Sequence, residues 1–314
     1  MGILFRSQSP WWGPLAFLLS SFLFLSLEII PPLGLMVSGF AITPLTLVLL
    51  ERGRHFFFLG NVFLVSFLLL TWGLESVFLY FFGFVIPAFL IAEWLQKGKG
   101  INQTLLVSTL FPLILGASLV VIQSLGENEN PLVSGQKQIE DSLARLIEFY
   151  QTSGMDPEQI EQLKAVKEIQ AKILFWLIPS LMFIGFLLVI LSNFLLIRYW
   201  YFKKGGNVFP FSKLSNWYLP DQLIWGVIGA VFLLIIPFSP GRVVGGNALI
   251  VLMLLYLFQG LALMIHIFHQ KRVSYWLQTL AFFLLIFWPT LLFVVFLGLA
   301  DVWADFRKVR ESLV

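Results

Sequence analysis

The stretch "ILFWLIPSLMFIGFLLVILSNFLLI", residues 173–197, runs for 25 residues without a charge. As an α-helix rising ~1.5 Å per residue it exceeds the ~30 Å hydrocarbon core of a bilayer. A helix that is apolar all round must be covered on every side, and a bilayer does that. The stretch therefore predicts a membrane span.

The pattern repeats along the chain. Of 314 residues 59% are hydrophobic, 17% aromatic and 12% charged, about half the ~25% charged share of soluble domains. The charges fall in short clusters between apolar segments at 11–30, 33–50, 56–72, 76–94, 104–123, 173–197, 221–238, 247–268 and 274–297. This predicts an all-α, polytopic helix bundle with eight or nine spans. The first segment lacks a small-x-small cleavage pattern and is expected to be retained. Without cysteine, disulfides, thiolate metal sites and thiol nucleophiles are excluded.

Loop charge sets the expected orientation. With the N-terminus cytoplasmic, the short inner connections carry Arg6, Arg52, Arg54, Lys97, Lys99, Arg198, Lys203, Lys204, Lys213, Lys271 and Arg272, eleven of the twenty bases. The short outer connections carry only Arg242, as the positive-inside rule requires. The ninth segment is read as one Pro-kinked span, which leaves the basic tail outside. A re-entrant pair broken at Trp288-Pro289 is the alternative and returns the tail inside. The net charge of +3 is explained by orientation, and no nucleic-acid partner is implied.

The divisions expected are helices one to five over 1–123, an extracytoplasmic amphipathic helical hairpin over 124–172, the sixth span over 173–200, a cytoplasmic aromatic and basic loop over 201–220, spans seven to nine over 221–297, and an interfacial amphipathic helix over 298–314. In the hairpin, Ile139, Leu143, Leu146, Ile147 and Tyr150 recur at helical spacing, as do Ile160, Leu163, Val166 and Ile169. Between the arms Gly154 can end one helix, and Asp156, Pro157 and Glu158 supply a cap, a first-turn proline and a dipole-compatible acid for the next. The second arm is expected to continue unbroken into the sixth span.

Inside the second segment Gly34, Ser38, Gly39, Ala41 and Thr43 permit close helix approach. Asn61 and Asn193 are expected to make packing hydrogen bonds. Glu28 and Glu75 lie at outer helix ends, where ionisable groups are functional candidates. "SPGRVVGGN", residues 239–247, reads as an outer turn whose Arg242, with Asn247 at the start of the next span, could receive an anionic group. Glu28, Glu75, Arg242 and Asn247 are thus the candidate substrate-binding residues. His266 and His269 share a face with Gln259 but have no carboxylate to complete a ligand set, so neither a metal nor another cofactor is expected. No GxSxG, HExxH or Walker A motif occurs, and catalysis is not expected.

In "GLADVWADFRKVR", residues 298–310, Asp301 and Asp305 are spaced i,i+4. Leu299, Val302, Trp303, Phe306, Val309 and Leu313 form an apolar stripe with the charges opposite, so the segment reads as a helix lying in the interface.

The stretches "FQGLALMIHIFHQKR" (258–272) and "FLGLADVWADFRK" (296–308), with the long hairpin before the sixth span, resemble the YybS-like family of predicted bacterial membrane proteins, a domain of unknown function numbered 2232. The first six segments are more distantly similar to the substrate-binding subunits of energy-coupling-factor vitamin transporters and to the rod-shape protein MreD. These likenesses imply a non-enzymatic, multi-pass protein of the bacterial inner membrane. They imply a small-molecule ligand with a transport role or, as the alternative, a scaffold that recruits a membrane-protein partner in cell-envelope assembly or division.

Overall fold

The computed structural model describes residues 11–126, 130–152, 154–203 and 217–307, and every regular element among them is helical. The helices are α1 (Trp12–Ile29), α2 (Pro31–Val37), α3 (Ile42–Arg52), α4 (Arg54–Thr71), α5 (Leu74–Tyr80), α6 (Ile86–Gln96), α7 (Ile101–Gly126), α8 (Pro131–Thr152), α9 (Pro157–Lys203), α10 (Leu223–Ile235), α11 (Ser239–Gln270), α12 (Tyr275–Leu284) and α13 (Trp288–Ala304). Arg6, most of the aromatic and basic loop, and the tail from Lys308 onward lie outside the described residues.

Among the described residues, six helices are long and apolar enough to cross a bilayer: α1, α4, Leu74–Gln96, Ile101–Leu119 in α7, Ala171–Tyr201 in α9, and α11. Taking α12 and α13 as one span makes seven, against the eight or nine expected. Three apolar segments account for the difference, and each contains a break that composition does not record.

The second segment divides into α2, a 3₁₀ turn at Ser38–Ala41 and α3. Pro44 has no N–H to return to the Phe40 carbonyl, and the small residues at the turn let neighbouring chain substitute for the missing helical pairing. The seventh segment yields only the 13 residues of α10, about 20 Å of helix. Pro237 forces the preceding Ile236 into an extended backbone, ψ 137°. The ninth breaks after Leu284, with Phe287 extended at ψ 127° ahead of Pro289, and α12 and α13 meet at 106°.

The hairpin forms as its local chemistry predicts. Gly154 takes φ +83°, open only to glycine at low strain. The Glu158 amide donates to Asp156 Oδ1 at 3.0 Å, capping α9. From there α9 continues for 47 residues through the sixth span. Ile147 and Ile160 are buried, and Gly135 sits against the Phe175 ring of the other arm.

Two compact units emerge, residues 1–134 with 185–210 and residues 135–184 with 211–314. In the first, α1, the 3₁₀ turn and α3 pack together, and α6 packs on α3 and α7. Its core includes Phe24, Ile42, Leu45, Leu49, Phe57 and Tyr80. A π-helical turn at Phe81–Val85 joins α5 to α6, and Tyr80 Oη donates to Asn61 Oδ1 at 2.6 Å. Asn193 holds the 3₁₀ break: its Oδ1 accepts from Thr43 N at 2.8 Å and Thr43 Oγ1 at 2.7 Å, and its Nδ2 donates to the Gly39 carbonyl at 2.8 Å. Ser20 Oγ donates to the Ala41 carbonyl at 2.9 Å. The packing role expected of Asn61, Asn193 and the small residues is what these bonds display.

In the second unit α11 packs on α10 and α13. The stretch 239–247, expected as a turn, is instead the start of α11, with the chain reversal falling earlier, at residues 236–238. The reason is close approach: a Cβ on Gly245 would lie 2.7 Å from the Ala230 carbonyl oxygen. These glycines are helix-contact positions of α11, not a flexible loop.

Candidate functional site

A cluster of buried polar and ionic side chains lies in the second unit, where α11 meets α13. Gly260 and Gly298 bring the two backbones into contact: a Cβ on Gly298 would stand 2.0 Å from the Tyr256 carbonyl oxygen, and one on Gly260 would stand 2.0 Å from that of Val294. The close approach brings Gln259 of α11 to Asp301 of α13, with Gln259 Nε2 donating to Asp301 Oδ2 at 3.2 Å. α13 ends at Ala304, and Asp305 takes the left-handed conformation, φ 40° and ψ 51°. That reversal folds Arg307 back onto Asp301, Nη2 to Oδ2 at 2.6 Å.

Both ionic side chains are interior, 1% exposed for Arg307 and 3% for Asp301. Arg307 Nη1 donates to the Trp217 carbonyl at 2.6 Å, and Gln259 Oε1 accepts from the Leu219 amide at 3.2 Å. Residues 217–220 are non-helical and cannot satisfy these groups internally. The network supplies the partners an irregular backbone needs where water is scarce. Leu219, Tyr256, Val295 and Val302 form an apolar cluster beside it. Gln259 lies about 16 Å along α11 from its Gln270 end, well inside a candidate span.

The expected interfacial helix over 298–314 is accordingly corrected across its described part. The two expected faces do not separate inside from outside: Asp301 is interior together with Val302 of the apolar stripe, while Trp303 is 70% exposed and Phe306 55%. Spacing does not say which of these side chains pack, because the packing is set by Gly298 and the reversal at Asp305. The signal available was glycine beside a polar residue, "QG" at 259–260 and "GLAD" at 298–301.

The four expected ligand residues fall into two pairs. In the first unit Glu28 Oε1 accepts from Ser76 Oγ at 2.7 Å, and Glu75, next to Ser76, is exposed in the first turn of α5. In the second, Arg242 is exposed and its Nε donates to the Ile236 carbonyl at 3.2 Å. Asn247 splices into α9 beside Pro179, accepting from the Ser180 amide at 2.9 Å and donating to the Trp176 carbonyl at 2.7 Å. Its amide is thus bound to α9 backbone. An open cleft of about 340 Å³ lies against the end of α13, lined by Asp221, Gln222, Ile224, Trp225, Val302 and Trp303. Among the described residues no three His, Asp or Glu converge as a metal site would require.

Several apolar helices of spanning length, with ionic side chains buried where one of them, α11, meets α13, define a multi-pass helical membrane protein. The family described as predicted membrane protein (DUF2232) matches residues 18–302, and the chain belongs to it. No curated protein and no solved structure matches the chain. Gln259 and Asp301 fall within the matched region.

Proposed function

We propose that the protein is a non-enzymatic small-molecule binding or transport component of the bacterial inner membrane, with its N-terminus cytoplasmic. The observation that carries the reading is the irregular backbone at 217–220, held deep along α11 by Gln259, Asp301 and Arg307. Transporters build substrate and ion sites from interrupted helices, because unwound backbone and buried polar side chains converge there. The 3₁₀ break at Ser38–Ala41 supports the same reading. Glu28 with Glu75 in the first unit, and the exposed Arg242 in the second, are the proposed ligand contacts, each within its own unit, while Asn247 is taken up by α9 backbone.

Thermal-shift screening of the purified protein against vitamins and metabolites tests the proposal. At least one compound should stabilise the protein, and Glu28→Ala with Glu75→Ala should abolish the effect. No shift across the panel, with cells unaffected by both substitutions, rejects it.

One observation favours the alternative, an MreD-like scaffold for envelope or division partners. The hairpin leaves Leu146, Phe149 and Ile169 exposed at 45%, 62% and 63% outside the candidate spans. Cross-links from single cysteines at these positions to another membrane protein, in cells lacking any ligand response, would favour the scaffold.

A further inference from the structure

We infer that α12, with Lys271 and Arg272 before it, is an in-plane element that docks on the anionic headgroup surface of the membrane instead of crossing it.

The helix has 10 residues and none is buried. Its length, about 15 Å, is half of what a bilayer core requires. It meets α13 at 106°, so the two cannot both follow the membrane normal. α13 is fixed by its glycine contacts to the 32-residue α11, itself of spanning length. The near-perpendicular member of the pair is therefore α12.

What covers the helix follows from its composition and charge. Tyr275 and Trp276 are 88% and 71% exposed at its start, the residue types that settle at headgroup level. Leu277, Leu280 and Leu284, at i, i+3 and i+7, share one face and are all exposed. Lys271 and Arg272 are exposed, with no ion-pair partner among the described residues. Two unpaired cations beside an aromatic-led apolar helix complement a surface that is apolar below and phosphate-rich above. Arg272 takes φ 50° at a helix end where glycine is the usual occupant. Phe268 and Phe282 meet edge to face at 6.1 Å, setting α12 against the end of α11.

The chain has no cysteine, so single cysteines report unambiguously. Leu277→Cys, Leu280→Cys and Leu284→Cys, each carrying an environment-sensitive fluorophore, are reconstituted as full-length protein in phosphatidylcholine vesicles with and without phosphatidylglycerol. Lipid-borne quenchers at graded depths then locate each label. All three labels should report one shallow depth, whereas a crossing helix would separate positions 277 and 284 by about 10 Å. Energy transfer to labelled phosphatidylglycerol should show its enrichment beside the helix. Lys271→Gln with Arg272→Gln should reduce that enrichment by about fivefold per base removed. Both residues are exposed, and an unchanged gel-filtration profile confirms that the variant folds.

Graded depths overturn the in-plane placement. Enrichment unaffected by loss of both bases overturns the anionic-surface assignment. Labels that no lipid quencher reaches mean that a protein, whether a second copy or a partner, covers the helix, and this also rejects the inference.

Discussion

Replacing Asp301 by leucine removes the carboxylate that holds Arg307 in the interior. The two side chains are 3% and 1% exposed and meet at 2.6 Å. Breaking a buried ion pair by removing one partner costs about 3–5 kcal/mol. The Gln259 amide loses its acceptor too, adding about 1 kcal/mol. Asp301→Leu should therefore destabilise by about 4–6 kcal/mol, a large fraction of the ~5–15 kcal/mol that holds a domain folded. Arg307→Met strands the carboxylate and the Trp217 carbonyl and should cost about as much. The double variant carries neither charge, and what remains is the Gln259 amide and the Trp217 carbonyl without partners, about 2–4 kcal/mol together. The pair should thus cost less than either single change, a coupling of several kcal/mol that a double-mutant cycle reads directly. Equilibrium unfolding in bicelles, followed by tryptophan fluorescence, gives the four corners of the cycle. A double variant as unstable as the sum of the singles, or an Asp301→Leu loss below about 1 kcal/mol, would refute the claim that this ion pair closes the α11–α13 junction.

Three further outcomes are expected. Gly298→Ala puts a Cβ 2.0 Å from the Tyr256 carbonyl oxygen, while Gly185→Ala meets nothing within 4 Å. The first should cost at least about 3 kcal/mol and the second well under 1 in the same unfolding assay. Asn193→Leu strips the Thr43 amide and the Gly39 carbonyl of their partners and should cost about 1–3 kcal/mol. Asn247→Leu does the same to Ser180 and Trp176 of α9, and its smaller expected loss reflects the partial exposure of that site.

The sequence was most readable where structure is set by neighbours along the chain. Gly154, Asp156 and Pro157 act through φ, a side-chain cap and a missing N–H, and the turn they make is the one expected. The bounds of five of the six spanning helices were legible to within about four residues, since an apolar run with charged ends states its own length, whereas α11 begins eight residues ahead of the expected segment. Breaks inside apolar runs were less legible: the one at Trp288-Pro289 was open as an alternative, the others were not. Hydropathy is the same whether residues 33–50 form one helix or two pieces joined by a 3₁₀ turn, because what permits the interruption is an amide about 150 residues away, Asn193.

Asn193 and Asn247 answer one physical problem in the same way. Each inserts its amide between a carbonyl and the amide four residues on in another segment: Gly39 and Thr43 in one case, Trp176 and Ser180 in the other. Each also donates to the carbonyl four residues back in its own helix, Val189 or Val243. Both interruptions adjoin a proline, Pro44 or Pro179, where the helical ladder has already lost a donor. An asparagine can bridge such a gap because its side chain offers both an acceptor and two donors, which a leucine or serine of comparable reach does not. Asparagine as a packing residue was legible from composition, but its pairing with a distant proline was not, since that depends on which helices meet.

The misreading of Asp301 has the same origin. Periodicity sets Leu299, Val302, Trp303 and Phe306 opposite the charges, and on an isolated helix the charged face belongs outward. Two features reverse the outcome: Gly298 lets α13 press its backbone on α11, and Asp305 turns the chain so that Arg307 returns to neutralise the acid. A carboxylate four residues ahead of a left-handed cap, followed by an arginine two residues beyond it, forms a closed local clasp. Such a clasp can be buried as a unit, because its charge is balanced before it meets the apolar surroundings. The acid pair at 301 and 305 therefore divides its labour: Asp301 is the buried acceptor, and Asp305 contributes the backbone conformation that delivers the cation to it.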